Sequence, residues 1–202
     1  MTKASRSRVA FRSSRTAATD PREFRLAVQV PDVFDAAECE QLIGLIAELG
    51  QSAGAIARED GDGDALDTSV RRVQQTAVPR DAEWVYERLG RIVEDSNEEH
   101  FGFDLREFDS DALIVDYRVG DFYQWHLDVG RDASSRKLSV SVCLSPPGDY
   151  DGGALAFPGL EFDRVPQGAA VVFPSFVLHG VQPVKRGRRC ALVAWMAGPP
   201  FR

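Results

Sequence analysis

The sequence predicts a mainly β protein of the α+β class, with helices first and a β core after them. Three observations carry this. Apolar residues recur at helical spacing in two segments before residue 101. From Asp111 onward, short apolar or alternating runs are separated by Gly, Pro and Asp, the texture of an antiparallel sandwich or barrel. The length of 202 residues suits one domain able to bury a core without disulfides or a structural metal.

The elements follow in order. The segment Phe34 to Gly50 reads as an amphipathic helix. Asp35 is its N-cap, Glu38 completes a capping box, Leu42, Ile43, Ile46 and Leu49 form the apolar face, and Gly50 is the stop. A Gly/Asp-rich loop follows, from Ala53 to about Ser69. Asp60, Asp62 and Asp64 alternate there, but Ala65 and Arg71 stand where a calcium loop needs Gly and Glu. A second helix is expected from Asp81 to about His100, with Trp84, Leu89, Ile92 and Val93 on its buried side. Strands are expected within Ala112–Val119, Phe122–Leu127, Lys137–Leu144, Ala154–Phe157, Ala169–Phe173, Val177–Val181 and Arg189–Met196. Pro146, Pro147, Gly148, Asp149 and the Gly152–Gly153 pair are turn chemistry. No internal repeat is visible.

Charge divides the chain. Residues 1–19 hold five basic residues and no acid, whereas the rest carries the other 19 basic residues against 31 acidic ones. Residues 1–22 read as a disordered basic arm; their composition also fits a tether for an anionic partner or an organelle-targeting peptide. No apolar signal core follows the arm and no run of 18 apolar residues occurs, so a cytoplasmic location without a membrane span is expected. The acidic body argues against nucleic acid as a partner. Cys39, Cys143 and Cys190 form no CxxC pair, which excludes a zinc ribbon or a redox dithiol.

The chemistry gathers in the β half. His126-Leu127-Asp128 ends one β run, and alternation puts His126 and Asp128 on one face. His179 follows in another apolar run. Two imidazoles and one carboxylate make the facial triad of non-haem Fe(II) oxygenases, which leaves three coordination positions open. Taken singly, an HxD or a strand histidine is more often ordinary packing. Arg189 strengthens the case. It opens the last β run and shares a face with Ala191, Val193 and Trp195. A guanidinium on an apolar wall is costly unless it meets an anion, and a bidentate carboxylate is its natural partner. His100, among Glu98, Glu99 and Phe101, reads as a helix-end residue rather than a ligand.

Four stretches carry a resemblance: Tyr117–Asp128 (YRVGDFYQWHLD), Arg136–Ser145 (RKLSVSVCLS), Tyr150–Phe157 (YDGGALAF) and His179–Trp195 (HGVQPVKRGRRCALVAW). In them the sequence resembles the 2-oxoglutarate- and Fe(II)-dependent dioxygenases of the prolyl 4-hydroxylase-like branch. The resemblance covers residues 111–197 and extends loosely to the first helix and to Asn97–Asp104. It implies a double-stranded β-helix, or jelly roll, with supporting N-terminal helices, as a single domain over 23–202. It implies His126, Asp128 and His179 as iron ligands and catalytic centre. It implies Arg189 as the clamp on the distal carboxylate of 2-oxoglutarate. Tyr117 and Tyr123 match two tyrosines that line the cosubstrate and substrate pocket; core packing is an equal reading of both. Trp195 lines the pocket or fills the barrel. A tyrosine that some relatives carry on the central strand is replaced here by Cys143 or Ser141.

The implied cofactors are Fe(II), 2-oxoglutarate and O2, with ascorbate as an auxiliary reductant. The implied reaction hydroxylates an unactivated C–H of an amino acid, a prolyl residue or a small metabolite, releasing succinate and CO2. The partner is thus a small-molecule or peptidyl substrate. The substrate walls are expected at Gly54 to Arg72 and Val129 to Arg136, with Arg71, Arg72, Arg131 and Arg136 as cationic candidates. Two readings from other classes stay open. A cupin-like metal enzyme without 2-oxoglutarate would not need Arg189. A non-catalytic jelly-roll binding module would have no reason to keep an intact triad.

Overall fold

The computed structural model describes residues 25–54, 56–57, 64–65, 67–130, 133–160 and 164–201. The basic arm lies outside these, as do Asp60 and Asp62. The chain runs β1 (Val28–Val30), α1 (Ala36–Leu49), β2 (Ser52–Ala53), β3 (Ile56–Ala57), β4 (Asp64–Ala65), β5 (Arg71–Arg72) and β6 (Gln74–Ala77). It continues through α2 (Glu83–Ser96), β7 (Glu107–Phe108), β8 (Leu113–Tyr117), β9 (Phe122–His126) and β10 (Arg136–Cys143). It ends with β11 (Tyr150–Gly152), β12 (Leu155–Ala156), β13 (Ala170–Pro174), β14 (His179–Val181), β15 (Val184–Gly187) and β16 (Arg189–Ala197).

Helix α1 starts where its capping box predicts. The Asp35 carboxylate accepts from the Glu38 amide at 2.8 Å, and the Glu38 carboxylate accepts from the Asp35 amide at 2.9 Å. Gly50, at φ 78°, ends the helix in a conformation that side chains other than glycine's rarely adopt. Helix α2 is shorter than its pattern predicts. Ser96 returns its hydroxyl to the Ile92 carbonyl at 2.7 Å, and the α ladder gives way to one π-type turn over Asn97–Phe101. The Asn97 side chain closes that turn by bonding both the carbonyl and the amide of Phe103. Val85, Tyr86, Leu89, Ile92 and Val93 are buried on α2. Trp84, expected among them, is only half-buried and meets Phe34 edge-on at 5.7 Å.

Two antiparallel sheets make the β core. The larger is an 8-stranded sheet in the order β1-β13-β10-β16-β8-β6-β2, with β7 added on β16. The smaller is a 4-stranded sheet in the order β12-β14-β9-β5. Two further ladders, β11–β15 and β3–β4, stand apart from them. This is the jelly-roll arrangement, with a cavity between the two sheets. All seven expected strands are present, although Ala154–Phe157 and Val177–Val181 shorten to β12 and β14.

The alternation of β10 and β16 divides the larger sheet. Leu138, Val140 and Val142, with Leu192, Ala194 and Met196, join Leu42, Leu89 and Val93 in the main core beneath the helices. Ser139, Ser141, Arg189, Ala191, Val193 and Trp195 line the cavity on the opposite side.

Candidate active site

The cavity lies between the walls built by β8, β10, β13 and β16 on one side and by β5, β9 and β14 on the other. Tyr117, Tyr123, His126, Asp128, His179, Arg189 and Trp195 all line it. The structure therefore brings all seven sequence candidates together.

A local irregularity makes this possible. Strict alternation on β9 would send Tyr123 and His126 to opposite faces. The β9–β14 pairing shifts register, with His179 opposite His126 and Val181 opposite Tyr123, so β9 carries one extra residue. Both rings then face the cavity, stacked at 3.5 Å. Gly180 sits across from the bulge; a side chain there would crowd the Tyr123 carbonyl at 3.1 Å.

The triad is oriented by the backbone. The Nδ1 of His126 meets the Gln124 carbonyl at 2.8 Å, and that of His179 meets the Val177 carbonyl at 2.9 Å. A carbonyl only accepts, so each Nδ1 carries the proton and each Nε2 offers its lone pair. Both Nε2 atoms point at Asp128, His126 at 3.5 Å from Oδ1 and His179 at 3.5 Å from Oδ2. One ligand atom from each residue lies within 4.8 Å of the others. Cis ligands about 2.1 Å from an octahedral ion lie about 3 Å apart, so the set fits Fe(II) with little adjustment.

Asp128 is held in turn. Its amide donates to the Ser175 carbonyl at 2.9 Å, and its Oδ2 accepts from Ser139 at 2.6 Å, with Ser175 3.0 Å beyond. Burial opposes ionisation of Asp128. The neighbouring His126 and His179 rings, with the hydrogen bond from Ser139, outweigh it and keep the carboxyl well below its usual range. Burial lowers His179, against the pull of Asp128, which favours the neutral imidazole a metal requires. Nothing in the sequence pattern marked Ser139 or Ser175. The only available signal was the alternation that puts Ser139 on the cavity face.

Arg189 is buried in the cavity wall, its guanidinium 5.3 Å over the Tyr117 ring. Among the described residues, no carboxylate pairs with it. Such a cation fits a carboxylate brought by a ligand. Gly153, at φ 64°, makes room for it, since a Cβ there would lie 3.0 Å from Arg189 Cδ. The neighbouring Arg188 points away and grips the buried Asp116 at 2.7 and 3.1 Å. Trp195 lines the cavity and also carries the Arg136 guanidinium 4.4 Å above its ring. Burial raises Tyr117, against Arg189 and Arg71, and lifts Tyr123 to about 12. Both phenols are thus neutral donors at ordinary pH.

Other candidates stay apart from this centre. His100 sits at the end of the π-type turn beside Glu99, at 3.6 Å. Cys39, Cys143 and Cys190 are buried and unbridged, and burial pushes the Cys39 and Cys190 thiols up to about 11. Arg131 lies outside the described residues.

The model of the 2OG-Fe(II) oxygenase superfamily matches residues 112–197. A PKHD-type hydroxylase of Synechococcus sp. (strain CC9902) is 40% identical over 88 residues, covering 42% of this chain and 40% of that protein. Another, from Synechococcus sp. (strain JA-2-3B'a(2-13)), is 28% identical over 178 residues, covering 83% and 76% of the two chains. The viral collagen prolyl hydroxylase of Paramecium Bursaria Chlorella virus-1, solved with 2OG, shares the fold at a TM-score of 0.64 and 20% identity. That likeness covers 87% of this chain and 97% of the viral one. Among the described residues, no helix is long and apolar enough to cross a membrane.

Proposed function

From the match of residues 112–197 to the 2OG-Fe(II) oxygenase superfamily, we propose that this chain hydroxylates an unactivated C–H bond with His126, Asp128 and His179 holding Fe(II). The substrate class is an amino acid, a prolyl residue or a small metabolite. Residues 23–202 act as one catalytic domain, and the basic arm is not needed for the chemistry.

Bound iron and 2-oxoglutarate supply the oxidising power, with one atom of O2 going to succinate as CO2 leaves and the other to the substrate hydroxyl. The chain's own residues do the rest. Gln124 and Val177 fix the imidazole tautomers. Ser139 steadies the Asp128 carboxylate. Arg189 takes the distal carboxylate of 2-oxoglutarate, with Tyr117 packed beneath the guanidinium. Tyr123 and Trp195 line the space left for substrate, and the apolar walls of Leu155, Phe173 and Val193 keep water from it.

The observation that carries this reading is the convergence of two Nε2 atoms and one carboxylate beside a buried, anion-seeking guanidinium. The test is a succinate assay with Fe(II), 2-oxoglutarate and O2 against a panel of amino acids, short peptides and metabolites. Succinate formed in step with a hydroxylated product, and absent for Asp128→Ala, is the expected result. Oxygen uptake without consumption of 2-oxoglutarate would replace this reading with a cupin-like enzyme. Full activity in Asp128→Ala would overturn the ligand assignment.

A further inference from the structure

Resting on the function just proposed, we infer that Asp116 is a positioning residue for cosubstrate binding. From the face of the larger sheet turned away from the cavity, it holds Arg189 where that guanidinium meets the distal carboxylate of 2-oxoglutarate. Asp116 does not line the cavity itself. It acts through the chain on either side of Arg189.

The placement follows from register. Strands β8 and β16 are antiparallel neighbours, with Arg189 opposite Tyr117 and Cys190 opposite Asp116. Alternation sends Tyr117 and Arg189 into the cavity and Asp116 and Cys190 to the other face. The Asp116 carboxylate then meets both chain neighbours of Arg189. Arg188 grips it with two nitrogens, Nε to Oδ1 at 2.7 Å and Nη2 to Oδ2 at 3.1 Å. The Cys190 thiol faces Oδ1 at 3.9 Å. Gln51 donates to Oδ2 at 3.1 Å, and the Arg118 guanidinium stands 3.6 Å from the same oxygen. The Cys190 amide donates to Ser145 Oγ at 2.7 Å, so the start of β16 is held from the β10 side as well.

This pairing differs from a solvated ion pair. Asp116 is fully buried, and a buried carboxylate in a forked grip is fixed in direction. Arg189 needs such a fixed frame. Its guanidinium is supported by the Tyr117 ring, 5.3 Å away, so its aim depends on where the two backbones lie. Asp116 bears on both. It precedes Tyr117 on β8, and it holds the residues that flank Arg189 on β16. Binding groups must be kept within about 0.5 Å of their working geometry by neighbours that are themselves locked, and Asp116 with Arg188 is such a neighbour.

The experiment loads the full chain with Mn(II), which suits carboxylate and imidazole ligands, and reads binding by calorimetry, apart from turnover. The probes are 2-oxoglutarate and 2-oxopentanoate; the second carries the same chelating end but no distal carboxylate. We expect Asp116→Asn, and independently Arg188→Gln, to weaken 2-oxoglutarate binding about tenfold, as loss of a ligand-orienting partner does. Both should leave 2-oxopentanoate binding unchanged. In an Arg189→Gln background, Asp116→Asn should add nothing, because its effect runs through Arg189. Thermal melts report whether each variant folds. Arg188 is half-exposed, so Arg188→Gln carries the test should Asp116→Asn not fold. Unchanged 2-oxoglutarate affinity in the folded variants, equal weakening of both probes, or a further loss in the Arg189→Gln background overturns the inference and leaves the oxygenase reading standing. Unchanged 2-oxoglutarate affinity in Arg189→Gln itself overturns the carboxylate clamp and the inference with it.

Discussion

The two faces of the larger sheet follow different rules. On the helix side, β10 and β16 present Leu138, Val140, Val142, Leu192, Ala194 and Met196 to a closed apolar core. On the cavity side, the same strands present Ser139, Ser141, Arg189 and Trp195, with Asp128 and the histidines opposite. The first face obeys packing and the removal of apolar area from water. The second holds polar groups whose partners are incomplete within the protein, most plainly Arg189. Such a face costs stability and is retained for what it binds.

Substitutions on the two faces should therefore separate function from stability. The largest effect is expected at the triad. Asp128→Ala or His179→Ala should lower succinate formation at least about a thousandfold, while the iron-free variant keeps its cooperative melt. Next is Leu192→Ala, on the other face of the strand that carries Arg189. It should cost about 2–5 kcal/mol, lowering the melting midpoint by about 4–20 °C, and leave affinity for 2-oxoglutarate unchanged in the folded fraction. Ser139→Ala removes the donor to Asp128 Oδ2 and should weaken iron affinity or activity about tenfold to a hundredfold with little change in melting.

The smallest effect tests the polar edge of the helix side, where Asp116 is fully buried. Burial disfavours its charge, but the hydrogen bonds from Arg188 and Gln51 and the charges of Arg188 and Arg118 hold its carboxyl below the ordinary value. A depressed carboxyl adds stability that is present above its unfolded pKa of about 3.9 and is lost as pH falls through the folded value. Melts of Asp116→Asn should thus differ from wild type at pH 6 and converge with it in acid. A gap that stays constant with pH would assign the effect to packing instead.

Much of this contrast was legible in the sequence, for physical reasons. Alternation in Arg189–Trp195 separates a cavity face from a core face, so Arg189 stood out as a cation on an apolar wall. The capping box of α1 announced itself in Asp35 and Glu38. The parts that escaped depend on tertiary pairing. Strands β5 and β6 are two and four residues long and mostly polar, so they carry no periodic signal, yet β5 places Arg71 in the cavity. The extra residue on β9 that turns Tyr123 toward His126 exists only in its register with β14. Trp84 matched the apolar face of α2 but sits near the helix start, where it meets Phe34 at the rim.

The central claim is that the two walls of the cavity together assemble an iron site and a carboxylate clamp for the same ligand. Anaerobic titration of the Fe(II) protein with 2-oxoglutarate, followed by visible absorption, tests it most directly. The account predicts a charge-transfer band that saturates at one 2-oxoglutarate per chain, is absent in Asp128→Ala, and in Arg189→Gln forms only at much higher 2-oxoglutarate concentration. A band of undiminished strength in Asp128→Ala, or the same midpoint in Arg189→Gln as in wild type, would contradict it.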